Sequence, residues 1–275
     1  MNGILGPLFA FLVGACVGSF LNVCITRWPH DLSIVTPRSR CPKCEQPIAW
    51  YDNLPIVSWL VLRGKCRHCG EPISVMYPLV EASVALWWLS EYLVFGPTLT
   101  MLRVAVFGTL LLGIAVTDAR HYLIPDGFTV SGLVWLFATA LLASMLGGTH
   151  FFATPYEAII GACAGAGAIT IIGWLGEVAL KKEAMGFGDA TLMAVVGMGL
   201  GAGRALLTIF VGALLGALTF LLVVYPIIWM RSRRSGTAFE APLVPFGVFL
   251  APAAMLTLLW GHQVVSWYFE TIMGR

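Results

Sequence analysis

Charged residues are scarce in this 275-residue chain: Asp, Glu, Lys and Arg make up 11% of it, against 59% hydrophobic residues. Soluble domains carry roughly 25% charged residues, so a soluble globule is excluded and the chain reads as polytopic in a membrane. Met1 to Phe20 has neither a basic leading segment nor a small-residue cleavage site, so it reads as a retained first span rather than a removable signal peptide. There is no HExxH, which leaves a zinc-dependent membrane protease without a ligand set. A strand-flanked glycine loop is also lacking. Gly165-Ala-Gly167 lies inside lipid-length apolar sequence, where it, Gly161-Ala-Cys-Ala-Gly165 and Gly212-Ala-Leu-Leu-Gly216 read as close helix-packing steps.

Long apolar runs are abundant. They fall at about 4–25, 79–95, 101–118, 127–147, 155–180, 190–200, 205–230 and 242–270, which predicts an all-α protein with about eight transmembrane helices. The sixth run, about eleven residues and Gly-rich, suits a broken or tilted helix shielded by its neighbours. Ten Trp and seven Tyr fit interfacial belts. Segment 26–78 holds Arg27, Arg38, Arg40, Lys43, Arg63, Lys65 and Arg67. Other loops on the same side add Arg120, Lys181, Lys182, Arg231, Arg233 and Arg234, making thirteen of the 16 basic residues. Only Arg103, Arg204 and Arg275 fall opposite. The positive-inside rule then makes 26–78 cytosolic and the termini external. The expected parts are a first span over 1–25, a cytosolic tetracysteine domain over 26–78 and a transmembrane core over 79–275.

Two acids stand at ends of apolar runs on that cytosolic side. Asp118 closes Leu110–Thr117, and Asp189 follows Gly186-Phe-Gly188 at the head of Ala190–Leu200. An intramembrane carboxyl costs roughly 3 kcal/mol on insertion scales and is a functional candidate by default. If the two meet, they would share one proton; the plainer readings are a first-turn cap for Asp189 and a juxtamembrane Asp118. Asp126, after Pro125, reads as an N-cap. Asn22 calls for an interhelical hydrogen bond, and Glu81 and Glu177 read as interfacial.

The 26–78 segment carries Cys41-Pro-Lys-Cys44 and Cys66-Arg-His-Cys69. Four thiolates in paired CxxC knuckles suit tetrahedral zinc in a structural site with no open position, and a reducing face favours metal over two disulfides. His68 reads as a solvated surface residue. Cys16, Cys24 and Cys163 lie in or beside apolar runs and read as buried small hydrophobes.

Taken together, Gly18-Ser-Phe-Leu-Asn22, the knuckles, Tyr51-Asp-Asn-Leu-Pro55 with Ser58-Trp59, Tyr77-Pro-Leu-Val-Glu81, Thr117-Asp118, Ile124-Pro-Asp126 and Gly186-Phe-Gly-Asp189 resemble the type IV prepilin peptidase family. The likeness runs from about residue 14 to 200; Thr191 stands where the family often has Lys. The resemblance implies a bacterial inner-membrane aspartic endopeptidase with Asp118 and Asp189 as its catalytic pair. Its substrates would be prepilins or pseudopilins with hydrophobic N-terminal helices, cut after a Gly, and its partners would include no nucleic acid. It further implies zinc on Cys41, Cys44, Cys66 and Cys69, and N-methylation of the new terminus with S-adenosylmethionine. A presenilin-like intramembrane protease and a transporter using the two acids as an ion relay are the alternatives.

Overall fold

The computed structural model describes residues 3–147, 151–181, 185–235, 244–271 and 274. Lys182, Arg275 and the side chains of Arg231, Arg233 and Arg234 lie outside the described residues, as do 242 and 243 of the last expected span. The helices are α1 (Leu5–Arg27), α2 (Val57–Val61), α3 (Met76–Phe95), α4 (Leu99–His121), α5 (Asp126–Met145), α6 (Pro155–Leu180), α7 (Phe187–Leu200), α8 (Ala202–Thr219), α9 (Tyr225–Ser235) and α10 (Gly247–Thr271). A π-turn, Phe220–Val224, joins α8 to α9. Among the described residues there is no strand, only two isolated bridges, Arg40 with Pro47 and Lys65 with Pro72. The chain is an all-α polytopic membrane protein: among the described residues six helical stretches, against the eight expected, are long and apolar enough to cross a bilayer. α3 and the 14-residue α7 account for the other two expected runs. At 1.5 Å per residue α7 is about 21 Å long, short of the ~30 Å hydrocarbon layer. Its Leu192, Met193, Val195 and Val196 are fully enclosed by neighbouring helices, as a short span requires.

Two compact units are present, Met1–Gly113 and Ile114–Arg275, and the boundary falls inside α4. In the first, α1 and α3 run antiparallel at a separation only glycine allows. A Cβ on Gly14 would lie 2.7 Å from the Trp88 Cβ, and one on Gly18 would lie 2.8 Å from the Glu81 Cα. Asn22 Nδ2 donates to the Tyr77 carbonyl at 3.0 Å, the expected interhelical bond. Trp88 Nε1 donates to Thr109 Oγ1 at 3.0 Å and ties α3 to α4.

The second unit repeats the device. A Cβ on Gly161 would collide with the Gly197 carbonyl, one on Gly165 with the Met193 carbonyl, and one on Gly197 with the Gly161 carbonyl, so α6 and α7 meet backbone to backbone. Gly212 packs against the Leu250 side chain of α10, where a Cβ would come within 2.9 Å, and Gly216 makes ordinary contact with the Phe249 ring. Thr208 and Thr257 share a buried 2.6 Å hydrogen bond between α8 and α10. α6 opens with Pro155 and a reciprocal Thr154–Glu157 capping box. Cys24 is buried as expected, but Cys16 and Cys163 are exposed. In lipid an apolar thiol loses nothing by facing outward, so burial does not follow from lying within a span.

Candidate active site

α4 carries Asp118 in its last turn and buries it, with Thr117 beside it fully enclosed. The carboxylate accepts a hydrogen bond at Oδ2 from the Val248 backbone N–H, 3.1 Å away in the first turn of α10. Gly247 is the neighbour that permits this: a Cβ there would sit 2.7 Å from the same oxygen. The acid at the C-terminal end of one helix is thus met by the exposed amides that open another, where negative charge is stabilised.

Asp189 stands half-buried in the first turn of α7. Gly186 is the extended N-cap residue, and the Asp189 N–H donates to its carbonyl at 3.1 Å. Gly186 has no side chain with which to cap α7, and the Asp189 carboxylate, at the third helical position, lies back toward Gly186. The two glycines of the motif differ. A Cβ on Gly188 would come within 3.0 Å of the Ile124 Cβ, whereas one on Gly186 would make only ordinary contact with Asp189 Oδ2 at 3.8 Å. Thr191 donates its hydroxyl to the Gly188 carbonyl at 2.9 Å, which fastens the turn.

Ile124 links the two acids. It lies in the connection between α4 and α5 and presses on Gly188, next to Asp189. Its Cδ1 would also meet a Gly247 Cβ at 3.0 Å, against Asp118. Ile124 thus has a glycine on each side, Gly188 next to Asp189 and Gly247 against Asp118, so both acids are arranged around one residue. Nearby carboxylates in a poorly solvated site favour holding one proton between them.

Two residues of this arrangement, Gly247 and Val248, were not anticipated from sequence. The available signal was the dipeptide Phe246-Gly247 opening the last apolar run, as Phe187-Gly188 opens the sixth. Asp126 does not cap α5 as expected. Pro125 occupies the N-cap position and Asp126 is the first helical residue, with no side-chain cap bond.

The four cysteines form a separate cluster in the first unit. Their Sγ atoms all lie within 4.8 Å of one another, with Cys41 and Cys69 3.8 Å apart. A tetrahedron with Zn–S bonds of about 2.3 Å has S–S edges of about 3.8 Å, so the residues fit zinc. The knuckles repeat one another bond for bond. Cys41 N donates to Gln46 O at 3.0 Å and Cys66 N to Glu71 O at 2.8 Å; Ile48 N reaches Ser39 O at 2.9 Å and Ile73 N reaches Gly64 O at 2.7 Å. Backbone amides of Cys44 and Lys43 hold the Cys41 thiol down to about 6 from its ordinary 9.0, whereas Cys69, although lowered by the Glu71 amide, is pushed up to about 11 by burial and the neighbouring thiols, so the four titrate as one interacting cluster. Lys43 and Glu71 form an ion pair across the knuckles. Arg67 grips Asp52 through two bonds of 2.8 and 2.6 Å and holds its carboxyl below the usual range.

Glu81 is not simply interfacial. It is buried in α3, where it accepts the Ile56 N–H at 2.7 Å and a bond from Ser19. Glu177, by contrast, is exposed near the end of α6.

Residues 12–95 match the bacterial peptidase A24 N-terminal domain, and residues 105–221 match the type IV leader peptidase family. Three relatives are each named prepilin leader peptidase/N-methyltransferase. The Myxococcus xanthus protein is 43% identical over 200 residues, 72% of this chain but only 58% of that protein. The Aeromonas hydrophila protein is 32% identical over 287 residues, 96% of this chain and 93% of its own length. The Pseudomonas aeruginosa protein is 34% identical over 288 residues, again 96% and 93%. No solved structure matches. With likeness at that level over nearly the full length of two relatives, the chain belongs to the prepilin leader peptidase/N-methyltransferase family.

Proposed function

We propose that this chain is an aspartic endopeptidase working at the cytosolic face of the bacterial inner membrane. It removes the short basic leader of prepilins or pseudopilins and N-methylates the residue so exposed. The observation that supports the reading is that Asp118, at the end of α4, and Asp189, at the start of α7, each stand beside a glycine packed on Ile124. One carboxylate takes a proton from a water that attacks the scissile carbonyl. Its protonated partner donates a hydrogen bond to that carbonyl oxygen and stabilises the charge growing there. The Val248 N–H steadies Asp118 through the exchange. A short α7 sets Asp189 near the membrane edge, where a substrate's apolar helix stays in lipid while its polar leader remains in water.

Cys41, Cys44, Cys66 and Cys69 would hold zinc, which when bound cross-links the two knuckles and contributes folding free energy. Four thiolates leave no open coordination position, so the role is structural. S-adenosylmethionine is the methyl donor in this reading. The described residues contain no strand and hence no glycine-rich strand–turn–helix cradle for it. Methylation therefore rests on the relatives' names, and no step is derived through the donor.

The test is product identity. The reconstituted protein is given a prepilin and S-adenosylmethionine, and the products are weighed by mass spectrometry. The expected outcome is one cut after the leader's terminal Gly, followed by addition of one methyl group to the mature terminus. Cuts scattered within the apolar helix would favour a presenilin-like protease. Ion flux without peptide products would favour a transporter.

A further inference from the structure

The segment between the first two membrane helices need not stand clear of the bilayer as a soluble module. Its middle is pinned at depth. Ile56 donates its N–H to Glu81, a residue 8% exposed. Glu81 lies five residues into α3 and opposite Gly18, which is nine residues before the end of α1. At 1.5 Å per residue those offsets are about 8 and 14 Å. The chain at Ile56 is thus held well inside the ends of two apolar helices.

The backbone is bent sharply to achieve this. Ile56 has φ +63 and ψ −50, and Val57 N–H closes on Pro55 O at 2.6 Å, a tight positive-φ γ-turn rarely adopted by a β-branched residue. Ser58 secures both sides by donating to Tyr51 O and accepting from Leu54 N–H, each at 2.9 Å.

Directly after the turn comes α2, with its apolar side chains facing out. Val57, Leu60 and Val61, spaced i, i+3, i+4 on one face, are 55%, 62% and 69% exposed. Trp50, on the 3-10 turn Trp50–Asn53 that packs against α2, is 77% exposed. Such a face in water would be unusual for so small a module. Three of the four acids of this segment are committed: Glu71 pairs with Lys43, Asp52 with Arg67, and Glu45 lies 4.0 Å from Arg40; the fourth, Asp31, stands next to the end of α1, away from α2 in the chain. Arg38, Arg63 and Lys65 make no ion pair among the described residues, and the last two follow α2 immediately. An apolar face with a Trp beside it and surplus basic residues at its end suits the headgroup–acyl boundary of anionic lipid.

We propose that α2 with Trp50 is a lipid-docking element. It seats the four-cysteine module on the anionic leaflet surface, with Val57, Leu60 and Val61 among acyl chains and Arg63 and Lys65 at the headgroups. A basic substrate leader is a poorer occupant, since the same surplus positive charge would repel it. This inference does not depend on the peptidase reading, and its test uses no cleavage.

The full-length protein carrying Leu60→p-benzoylphenylalanine is reconstituted in phosphatidylethanolamine–phosphatidylglycerol vesicles, irradiated and weighed intact. The same probe at Gln46, on a knuckle, is the reference, and Val57→p-benzoylphenylalanine repeats the test should the first variant lose its zinc. A lipid adduct at position 60 in clear excess over position 46, lost when Arg63 and Lys65 are both changed to Glu, is the expected result. Three results would overturn the proposal: no lipid adduct at 60 or 57; an adduct indifferent to the charge reversal; or transfer of the adduct to an added prepilin, which would make the face a substrate site.

Discussion

In the four-cysteine module, backbone segments are tied by hydrogen bonds that close within about ten residues, and the same bonds occur twice, once around Cys41 and once around Cys66. Across the α6–α7 seam of the second unit, helices meet where side chains are missing, Gly161 against Gly197 and Gly165 against Met193. The first region is built from polar links and donor atoms, the second from shape. This follows from the surroundings: a short loop with few core apolars needs metal and hydrogen bonds to offset its chain entropy. Helices in lipid gain nothing from burying apolar side chains and associate through close backbone approach. The proposed catalytic acids belong to the second kind of region, where Ile124 packs on the glycine beside each of them.

That contrast can be broken from either side. The largest effect is expected from Cys41→Ser or strong chelation. Structural zinc is worth on the order of 10 kcal/mol of folding free energy, so residues 39–73 should lose protection in hydrogen exchange. The second unit should keep its thermal midpoint, and methyl transfer should fall more than cleavage. Gly197→Ala comes next. Its Cβ would collide with the Gly161 carbonyl, and forcing a methyl into a close-packed seam costs about 3 kcal/mol. The midpoint in detergent should drop while zinc content is unchanged. Gly167→Ala, with nothing within 4 Å, should stay within about 0.5 kcal/mol of wild type.

Gly247→Ala sharpens the comparison at the site itself. Its Cβ would lie 2.7 Å from Asp118 Oδ2. Displacing a catalytic group by about 1 Å can cost about a hundredfold in rate, so kcat should fall by that order while the midpoint moves little. The smallest effect belongs to Asp52→Asn. Arg67 holds the Asp52 carboxyl below its ordinary 3.8, so the link stabilises the module above that pH and is lost as pH falls through the lower folded value. Hydrogen exchange over 50–53 should be faster in the variant at pH 7, and the difference should narrow on acidification.

Much of this was legible beforehand where the signal was local. The CxxC spacing pointed to the four cysteines that cluster because each knuckle is a few residues of chain. The brevity of the sixth run foretold a sheltered α7, and the acids stood out because carboxyls are rare in apolar sequence. What could not be read was partnership across the chain. Val248 and Asp118 are 130 residues apart, and nothing in either neighbourhood points to the other. Asp126 misled because a Pro before an acid can itself take the N-cap position. Cys16 and Cys163 misled because the rule that apolar means buried holds in water but not in lipid.

The central claim is that Asp118 and Asp189 act as one proton-sharing pair. Cleavage of a prepilin by Asp118→Asn and Asp189→Asn, each purified and reconstituted with its thermal midpoint intact, tests it most directly. Loss of a positioned acid or base costs about 10²–10⁴-fold. The expected result is a loss of that size in either single variant, with no further loss in the double. Near-wild-type cleavage by either variant would contradict it.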